Sequence, residues 1–170
     1  MTRYLYLVRH AEAESPAGGF NDFYRSLTPH GMIDAARMSR WLKSKVEPLT
    51  KLISSPAERT RMTTFVFSEQ LGVAEDKIIY NENLYEGGPR HYLNAVNELN
   101  DKDIAVMLVG HNPGITYFAE YLTHDEFGNV PTAGVVGIAF ENLSWLQVSG
   151  RTGKLIFYDS PEKLMGMDLK

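Results

Sequence analysis

Residues 4–11 read Tyr4-Leu5-Tyr6-Leu7-Val8-Arg9-His10-Ala11, an apolar run over residues 4–8 that ends at an arginine and a histidine. The β-branched and aromatic side chains of this run predict a short buried strand. In open α/β sheets, ligands gather at the carboxyl ends of the strands. Arg9 and His10 therefore predict an anion-binding site at the end of the first strand.

The composition is typical of a soluble globular protein. Of the 170 residues, 44% are hydrophobic and 22% are charged, so we expect one domain over residues 1–170 with a substantial core. The net charge of −4 gives no general attraction to nucleic acid or to anionic membranes. The lack of cysteine excludes disulfides, zinc–thiolate sites and thiol nucleophiles. Because we find neither a signal peptide nor an apolar stretch near the ~20 residues that span a bilayer, we expect a cytoplasmic protein.

Strand-like and helix-like segments alternate along the chain, which predicts an α/β fold. After the first strand and a polar loop over residues 12–26, strands are predicted at residues 51–54, 77–80, 104–109, 134–140 and 154–158. Helices are predicted at residues 29–46, 57–71, 90–99 and 113–122. Thr28 and Asn112 are the expected N-caps, and Gly72 is expected to end the second helix. Residues 84–88 are predicted as a loop.

Three of the predicted strands end in side chains of the same chemistry. The first ends at Arg9 and His10, the second at Ser54-Ser55-Pro56 with Arg59 in the following helical turn, and the most apolar one at His111. If these strands are parallel neighbours, both arginines and both histidines meet at one sheet edge, together with two helix N-termini. This concentration of positive potential favours a doubly charged anion, most naturally a phosphoryl group, because the planar arginine fork binds two phosphate oxygens.

These segments resemble those of the histidine phosphatase superfamily (branch 1). The resemblance rests on four motifs, which are Leu7-Val8-Arg9-His10-Ala11, Leu27-Thr28-Pro29-His30-Gly31, the segment from Ser54 to Thr63, and Val109-Gly110-His111-Asn112-Pro113. It implies the phosphoglycerate-mutase-like fold, a three-layer α/β/α sandwich with a mostly parallel central sheet. Ala11 stands where many members have glycine. The chain resembles the small phosphohistidine phosphatase (SixA-type) subgroup in this alanine, in its short length and in the segment from Val130 to Leu155. The short connection between Arg59 and His111 implies an open cleft.

The resemblance implies a role for each of five residues. His10 is the expected nucleophile, which takes the phosphoryl group and forms a phosphohistidine that water hydrolyses. Arg9, Arg59 and His111 are expected to bind the phosphoryl oxygens and to stabilise their charge. Glu86 matches the loop glutamate that donates a proton to the leaving group in the wider family, and the alternative is a solvated loop charge. No metal or other cofactor is expected, because fixed cations take the place of a magnesium clamp.

Other residues near these motifs keep alternative interpretations. Glu12 and Asp22 are alternative proton donors, and Arg25 either braces the loop or touches the substrate. The neighbours of His30, His91 and His124 do not match a catalytic motif of the family, so we expect these histidines at the surface or in helix caps. Ser54-Ser55-Pro56, taken alone, is the start of a helix.

Three hypotheses for the function follow from these assignments. The first is hydrolysis of a phosphohistidine on a protein, which an open cleft favours, and the second is hydrolysis of a small phosphomonoester such as a sugar or nucleotide phosphate. The third is a phosphate- or phosphoprotein-binding module without turnover, against which the intact set of Arg9, His10, Arg59 and His111 argues. The expected partner is thus a phosphorylated protein or a small phosphomonoester, and neither nucleic acid nor a membrane.

Overall fold

A six-stranded sheet forms the centre of the computed structural model, which describes residues 1–16 and 21–168. Its strands are β1 (Thr2–Arg9), β2 (Lys51–Ser54), β3 (Ile78–Tyr80), β4 (Ala105–Gly110), β5 (Val135–Glu141) and β6 (Lys154–Asp159). They lie in the order β3-β2-β4-β1-β5-β6. The first four strands are parallel to one another, whereas β5 pairs antiparallel with both β1 and β6. The predicted mostly parallel sheet is confirmed.

Helices cover both faces of this sheet. They are α1 (Pro29–Leu42), α2 (Glu58–Leu71), α3 (Asn83–Glu86), α4 (Pro89–Asn97), α5 (Gly114–Thr123) and α6 (Pro161–Asp168). Leu5 and Leu7 of β1 belong to the core that α4 and α5 cover, whereas Tyr6 and Val8 belong to the core of α1, α2 and α6. β4 lies between β1 and β2 and is buried throughout, which explains its continuous apolar run. The predicted three-layer α/β/α architecture is confirmed.

Some predicted boundaries differ from the observed ones. α1 ends at Leu42 and not near residue 46, because the amides of Lys43 and Lys45 bond to carbonyls only three residues back. Residues 84–88, predicted as a loop, include part of the one-turn helix α3, at whose start the Asn81 side chain accepts the Asn83 amide at 3.0 Å. Helix α6 and three short 3-10 turns, at Asp22–Tyr24, Glu75–Lys77 and Trp145–Gln147, were not predicted.

The predicted N-cap role of Asn112 is wrong by one position. Pro113 is the N-cap of α5 and follows Asn112 through a cis peptide bond. The Asn112 side-chain oxygen nevertheless accepts the backbone N–H of Thr116 at 3.2 Å. The residue therefore still satisfies one amide of the first helical turn, from just outside the helix.

The start of α1 fixes the loop that follows β1. Thr28 is the N-cap of α1, since its hydroxyl oxygen accepts the Gly31 amide at 2.9 Å. A Cβ atom on Gly31 would lie 2.2 Å from the carbonyl oxygen of Glu12, so this close approach requires glycine. Of the predicted polar loop, residues 17–20 lie outside the described residues. Within the described ranges, no helix combines the length and apolarity needed to cross a membrane.

Candidate active site

The carboxyl ends of β1, β2 and β4 lie side by side at one edge of the sheet. Arg9 is paired with Gly110, and Ser54 is paired with Val109. The chain leaves these strands toward a cleft with a volume of about 420 Å³. All five residues predicted for the site line this cleft, namely Arg9, His10, Arg59, Glu86 and His111.

The His10 imidazole is held by its own loop. Nδ1 lies 2.7 Å from the carbonyl oxygen of Ala11, an acceptor, so this nitrogen carries the proton and donates it. The other ring nitrogen, Nε2, is then unprotonated and retains its lone pair. The backbone around the ring is fixed as well, since the Ala133 amide lies 3.0 and 3.1 Å from the carbonyl oxygens of Arg9 and His10. The loop therefore presents one defined tautomer of His10.

Burial keeps both site histidines neutral. It lowers the pKa of His10 to about 4, and the neighbouring Arg59 and Arg9 guanidiniums act in the same direction. Burial also lowers the pKa of His111 to about 3, to which the proximity of His10 and Arg59 contributes. The two ring centroids are 5.3 Å apart. At neutral pH, His10 therefore has the uncharged form that a nucleophile needs.

The two predicted arginines are each anchored through their terminal nitrogens. Nη1 of Arg9 donates to the carbonyl oxygen of Val130 at 3.0 Å. Nη1 and Nη2 of Arg59 donate to the carbonyl oxygen and to Oδ2 of Asp22 at 2.8 and 3.0 Å. The Nε atoms of Arg9 and Arg59 are enclosed and have no hydrogen-bond partner among the described residues. Both side chains line the cleft, and the hydrogen bonds above use only some of the N–H groups on their terminal nitrogens, so both guanidiniums can also donate to an anion there.

A carboxylate that the sequence placed only as a weak alternative lies at the centre of this cationic group. Oδ2 of Asp22 accepts the Tyr85 hydroxyl at 2.6 Å, and Oδ1 accepts Nε of Arg25 at 2.9 Å. Hydrogen bonds from Tyr85, Arg25 and Arg59 lower the pKa of Asp22 to about 2, with the Tyr85 contribution the largest. These hydrogen bonds stabilise the ionised form of Asp22, which argues against its alternative role as a proton donor.

Arg25 braces the loop, which is one of its two predicted alternatives, and contact with the substrate stays a prediction. Its Nη1 donates to the carbonyl oxygen of Glu14 at 2.9 Å, which braces the loop, and its side chain also lines the cleft. The sequence did not identify Tyr85 as part of this network, although Tyr85 immediately precedes Glu86. The only sequence signal was the i,i+3 spacing of Asp22 and Arg25, which matches their ion pair at 2.8 Å.

His111 is held by Ser55, a residue that was predicted only as part of a helix start. Nε2 of His111 lies 2.8 Å from the Ser55 hydroxyl oxygen, and both residues are buried. The His111 amide donates to the Tyr92 hydroxyl at 3.0 Å. The ring edge of Tyr85 packs against His111 at 5.6 Å between centroids. His111 therefore lies in the cleft wall with little freedom to rotate.

Glu86 and Glu12 line the cleft from two sides. Glu86 is exposed on α3, and its side chain forms no hydrogen bond with any described residue. Glu12 accepts the Thr28 hydroxyl at 3.1 Å, so its carboxylate is held by the neighbouring loop. Across residues 1–16 and 21–168, no cluster of three or more His, Cys, Asp or Glu is placed to hold a metal ion.

Comparisons with known proteins identify a matching family. The family model of the histidine phosphatase superfamily (branch 1) matches residues 5–88. An uncharacterized protein of Mycobacterium leprae (strain TN) is 27% identical over 168 residues, which cover 91% of this chain and 99% of the relative.

Solved structures match the fold over nearly the whole chain. A candidate phosphohistidine phosphatase, SixA, from Agrobacterium tumefaciens is 25% identical, with a TM-score of 0.80 over 94% of this chain and 98% of that one. The protein histidine phosphatase SixA complexed with tungstate is 22% identical, with a TM-score of 0.80 over 95% and 99%. A mycobacterial glucosyl-3-phosphoglycerate phosphatase is 15% identical, with a TM-score of 0.68 over 94% and 100%. The fold is therefore shared by phosphatases of protein and of small-molecule substrates.

Proposed function

Because this chain belongs to the histidine phosphatase superfamily (branch 1), we propose that it is a metal-independent phosphatase that acts through a phosphohistidine on His10. The preferred substrate class is phosphohistidine on a protein. The proposal rests on one observation, the 2.7 Å contact between Nδ1 of His10 and the Ala11 carbonyl oxygen. It leaves Nε2 as an uncharged nucleophile next to the guanidiniums of Arg9 and Arg59.

The first step transfers the phosphoryl group to the enzyme. Nε2 of His10 attacks phosphorus in line, the new N–P bond forms, and the bond from phosphorus to the leaving group breaks. Arg9, Arg59 and His111 bind the phosphoryl oxygens, where stabilisation of charge is the main requirement of phosphoryl transfer. The Ala11 carbonyl keeps the proton on Nδ1 and stabilises the positive charge that develops on the ring.

The second step returns His10 to its starting form. Water attacks the phosphorus of the phosphohistidine, the N–P bond breaks, and inorganic phosphate leaves with the oxygen of that water. Nε2 of His10 regains its lone pair, and Nδ1 retains its proton throughout. No metal takes part, because the cations that line the cleft are side chains of the chain itself.

The substrate class follows from the cleft and from the leaving group. The cleft is open, so it admits a phosphorylated side chain on a protein surface, and the SixA proteins of the same fold are named as phosphohistidine phosphatases. A phosphorylated imidazole is a good leaving group that depends little on a proton donor. A small phosphomonoester is the second candidate, favoured by the exposed Glu86 carboxyl in the cleft, because a poor alkoxide leaving group needs such an acid.

Trapping the phosphorylated enzyme tests the proposal. The protein is mixed with a generic aryl phosphate, quenched in denaturant, and examined by mass spectrometry for acid-labile phosphate. We expect a burst of phenol and one phosphoryl group on His10, and neither with His10→Ala. His91→Ala is the matched control, because His91 is exposed and outside the lining of the cleft. Steady turnover by His10→Ala, or label on another residue, would overturn the assignment.

A comparison of substrates then tests the finer proposal. The kcat/KM for a phosphohistidine-bearing protein is measured against values for sugar and nucleotide phosphates under the same conditions. We expect the phosphohistidine protein to have the highest value. A higher kcat/KM for a sugar phosphate would replace the first candidate by the second. Tight binding of phosphate with no turnover of any substrate would favour a binding module.

A further inference from the structure

A second cavity of about 510 Å³ adjoins the phosphoryl cleft, and the two share Glu12 and Thr132 as lining residues. It lies between the first turns of α1, the loop at Pro131 and helix α6. A substrate that places its phosphoryl group in the cleft therefore passes the mouth of this cavity. Apart from the two shared residues, no side chain of this cavity takes part in the phosphoryl transfer proposed above.

The two cavities differ in charge. Arginines 9, 25 and 59 balance the carboxylates of Glu12, Asp22 and Glu86 in the phosphoryl cleft, whereas the second cavity, which we call the acidic cavity, is lined by Glu12, Asp34 and Glu162. Neither lysine nor arginine occurs among the described residues that line it, and its only basic group is the His30 imidazole. These charges favour a ligand that carries a phosphoryl group at one end and a cation at the other.

Asp34 gives an independent indication that the acidic cavity receives a donor. Its side chain is only 7% exposed, and its Oδ2 lies 3.1 Å from Nε2 of His30. Its Oδ1 has no hydrogen-bond partner among the described residues, because Nη1 of Arg37 is 3.6 Å away. A buried carboxylate with too few donors is unfavourable, and a cationic N–H group that takes the place of His30 beside Asp34 would stabilise it. His30, whose side chain is 61% exposed, can turn into solvent to admit one.

The remaining walls suit a long basic side chain. Pro131, Pro161 and Met165 line the acidic cavity beside the carboxylates. Lysine and arginine bury an aliphatic stem along apolar surface and keep the charged head among polar groups. Apolar walls together with carboxylates therefore match a lysine or arginine side chain better than they match an acidic or a purely apolar one.

We propose that the acidic cavity is a subsite for a basic side chain that flanks the phosphohistidine of the protein substrate. The inference rests on the proposed function and narrows its substrate class. A chain in extended conformation advances ~3.3–3.6 Å per residue, so a lysine within a few positions of the phosphohistidine reaches the neighbouring cavity. The subsite selects by charge, and a phosphohistidine flanked by acidic residues is disfavoured.

Binding of matched peptides tests the subsite without relying on turnover. Each peptide carries a non-hydrolysable phosphoryl-triazole analogue of phosphohistidine, and lysine is moved through the three positions on either side, with glutamine as the reference. Calorimetric titration of the wild-type protein gives the Kd values. We expect lysine in at least one position to lower Kd by about 5- to 10-fold, as for a partly buried ion pair. Equal Kd values for all peptides, or binding of none, would overturn the proposal.

Variants that remove a carboxylate from the acidic cavity test whether a preference for lysine arises there. We expect Glu162→Gln, a substitution at an exposed residue, and Asp34→Asn each to reduce the preference for lysine, the ratio of the two Kd values, to less than half of its wild-type value. The Kd of the glutamine peptide is expected to change little. Glu69→Gln, which removes the same charge from an exposed position on α2, is expected to leave the preference intact. A preference that persists in both cavity variants would place its origin elsewhere.

Phosphate release from the corresponding true phosphohistidine peptides separates the two proposals. Hydrolysis without any preference for lysine would leave the proposed function standing and remove the subsite. A preference in binding that both cavity variants abolish, with no hydrolysis of any phosphohistidine peptide, would leave the subsite standing and remove the proposed function.

Discussion

The Tyr85 hydroxyl lies 2.6 Å from Oδ2 of Asp22, and the same oxygen accepts Nη2 of Arg59 at 3.0 Å. One carboxylate thus connects the turn of α3 with the arginine of α2. The ring of Phe23, next to Asp22 in the chain, also packs edge-on against Tyr85, with 5.2 Å between centroids. Asp22 is therefore a fixed anion that orients the arginines rather than a group that exchanges protons at neutral pH.

This relationship predicts that Tyr85 and Asp22 act as one unit. We expect Tyr85→Phe and Asp22→Asn each to lower kcat/KM by about 10-fold, because Tyr85 holds the Asp22 carboxylate that in turn positions the Arg59 guanidinium, and a hydrogen bond to a charged group is worth about 1.5–3 kcal/mol. The double variant is expected to be no worse than Asp22→Asn alone, because both changes remove the same hydrogen bond. Steady-state kinetics with an aryl phosphate measure all four proteins.

The control for this cycle is Tyr117→Phe, which removes an exposed hydroxyl on α5 and is expected to behave as the wild type. Independent, multiplicative losses in the double variant would show that Tyr85 acts on something other than Asp22. A Tyr85→Phe variant with unchanged kinetics would show that Arg59 does not need this support.

The titration of the site histidines provides a second prediction. Burial lowers the pKa of His10 to about 4 and that of His111 to about 3, so both rings remain neutral as the pH falls through ~6.5, where a free histidine gains its proton. The nucleophile is therefore lost only as the pH falls through about 4. NMR of the imidazole ¹⁵N nuclei in the substrate-free protein measures this directly. A His10 midpoint near ~6.5 would contradict the buried, neutral assignment.

Thr63 provides a third prediction, because it joins the loop of His10 to the helix of Arg59. Its hydroxyl oxygen accepts the Ala11 amide at 3.0 Å and donates to the Arg59 carbonyl at 2.7 Å, and the residue is fully buried. We expect Thr63→Val to lower the free energy of unfolding by about 1–3 kcal/mol, because the buried Ala11 amide loses its acceptor. Urea denaturation measures the change, and Thr63→Ser, which retains the hydroxyl, is expected to lose less.

The sequence predicted those parts of the fold that follow from local signals. β1, β2 and α2 occur within one or two residues of their predicted bounds, because the apolar runs of the strands and the glycine at position 72 determine them locally. The sequence did not predict α6, because over residues 161–166, whose side chains the structure describes, Leu164 and Pro161 are the only buried residues, which makes a weak periodic signal. It also misplaced the N-cap of α5 at Asn112, because asparagine followed by proline is the usual signal for a helix start, whereas α5 begins at Gly114.

The candidate site also divides into residues with a local sequence signal and residues without one. Arg9, His10, Arg59 and His111 were identified because each follows a strand end in a recognisable motif. Tyr85 and Ser55 were not, because their partners lie far away in sequence, 63 residues for Tyr85–Asp22 and 56 residues for Ser55–His111. Single-chain patterns indicate which residues reach the sheet edge, whereas contacts between loops depend on the assembled structure.

The role of Glu86 depends on the leaving group, and this dependence gives the fourth prediction. If its carboxyl donates the proton, Glu86→Gln lowers kcat for an alkyl phosphate by ~10²–10⁴-fold, because an alkoxide cannot leave unprotonated. The loss is expected to be small for an aryl phosphate or a phosphohistidine peptide, whose leaving groups are better. Parallel kcat measurements on these three substrates check the trend.

Glu82→Gln is the matched control, because it removes an exposed carboxylate four residues earlier, just before α3 and outside the lining of the cleft. We expect it to leave all three kcat values unchanged. Equal losses on all three substrates in Glu86→Gln would indicate that the carboxylate positions the substrate rather than protonates it. No loss on the alkyl phosphate would leave Glu86 as a solvated loop charge, and the preference for a phosphorylated imidazole would then follow from the cleft's lack of an acid.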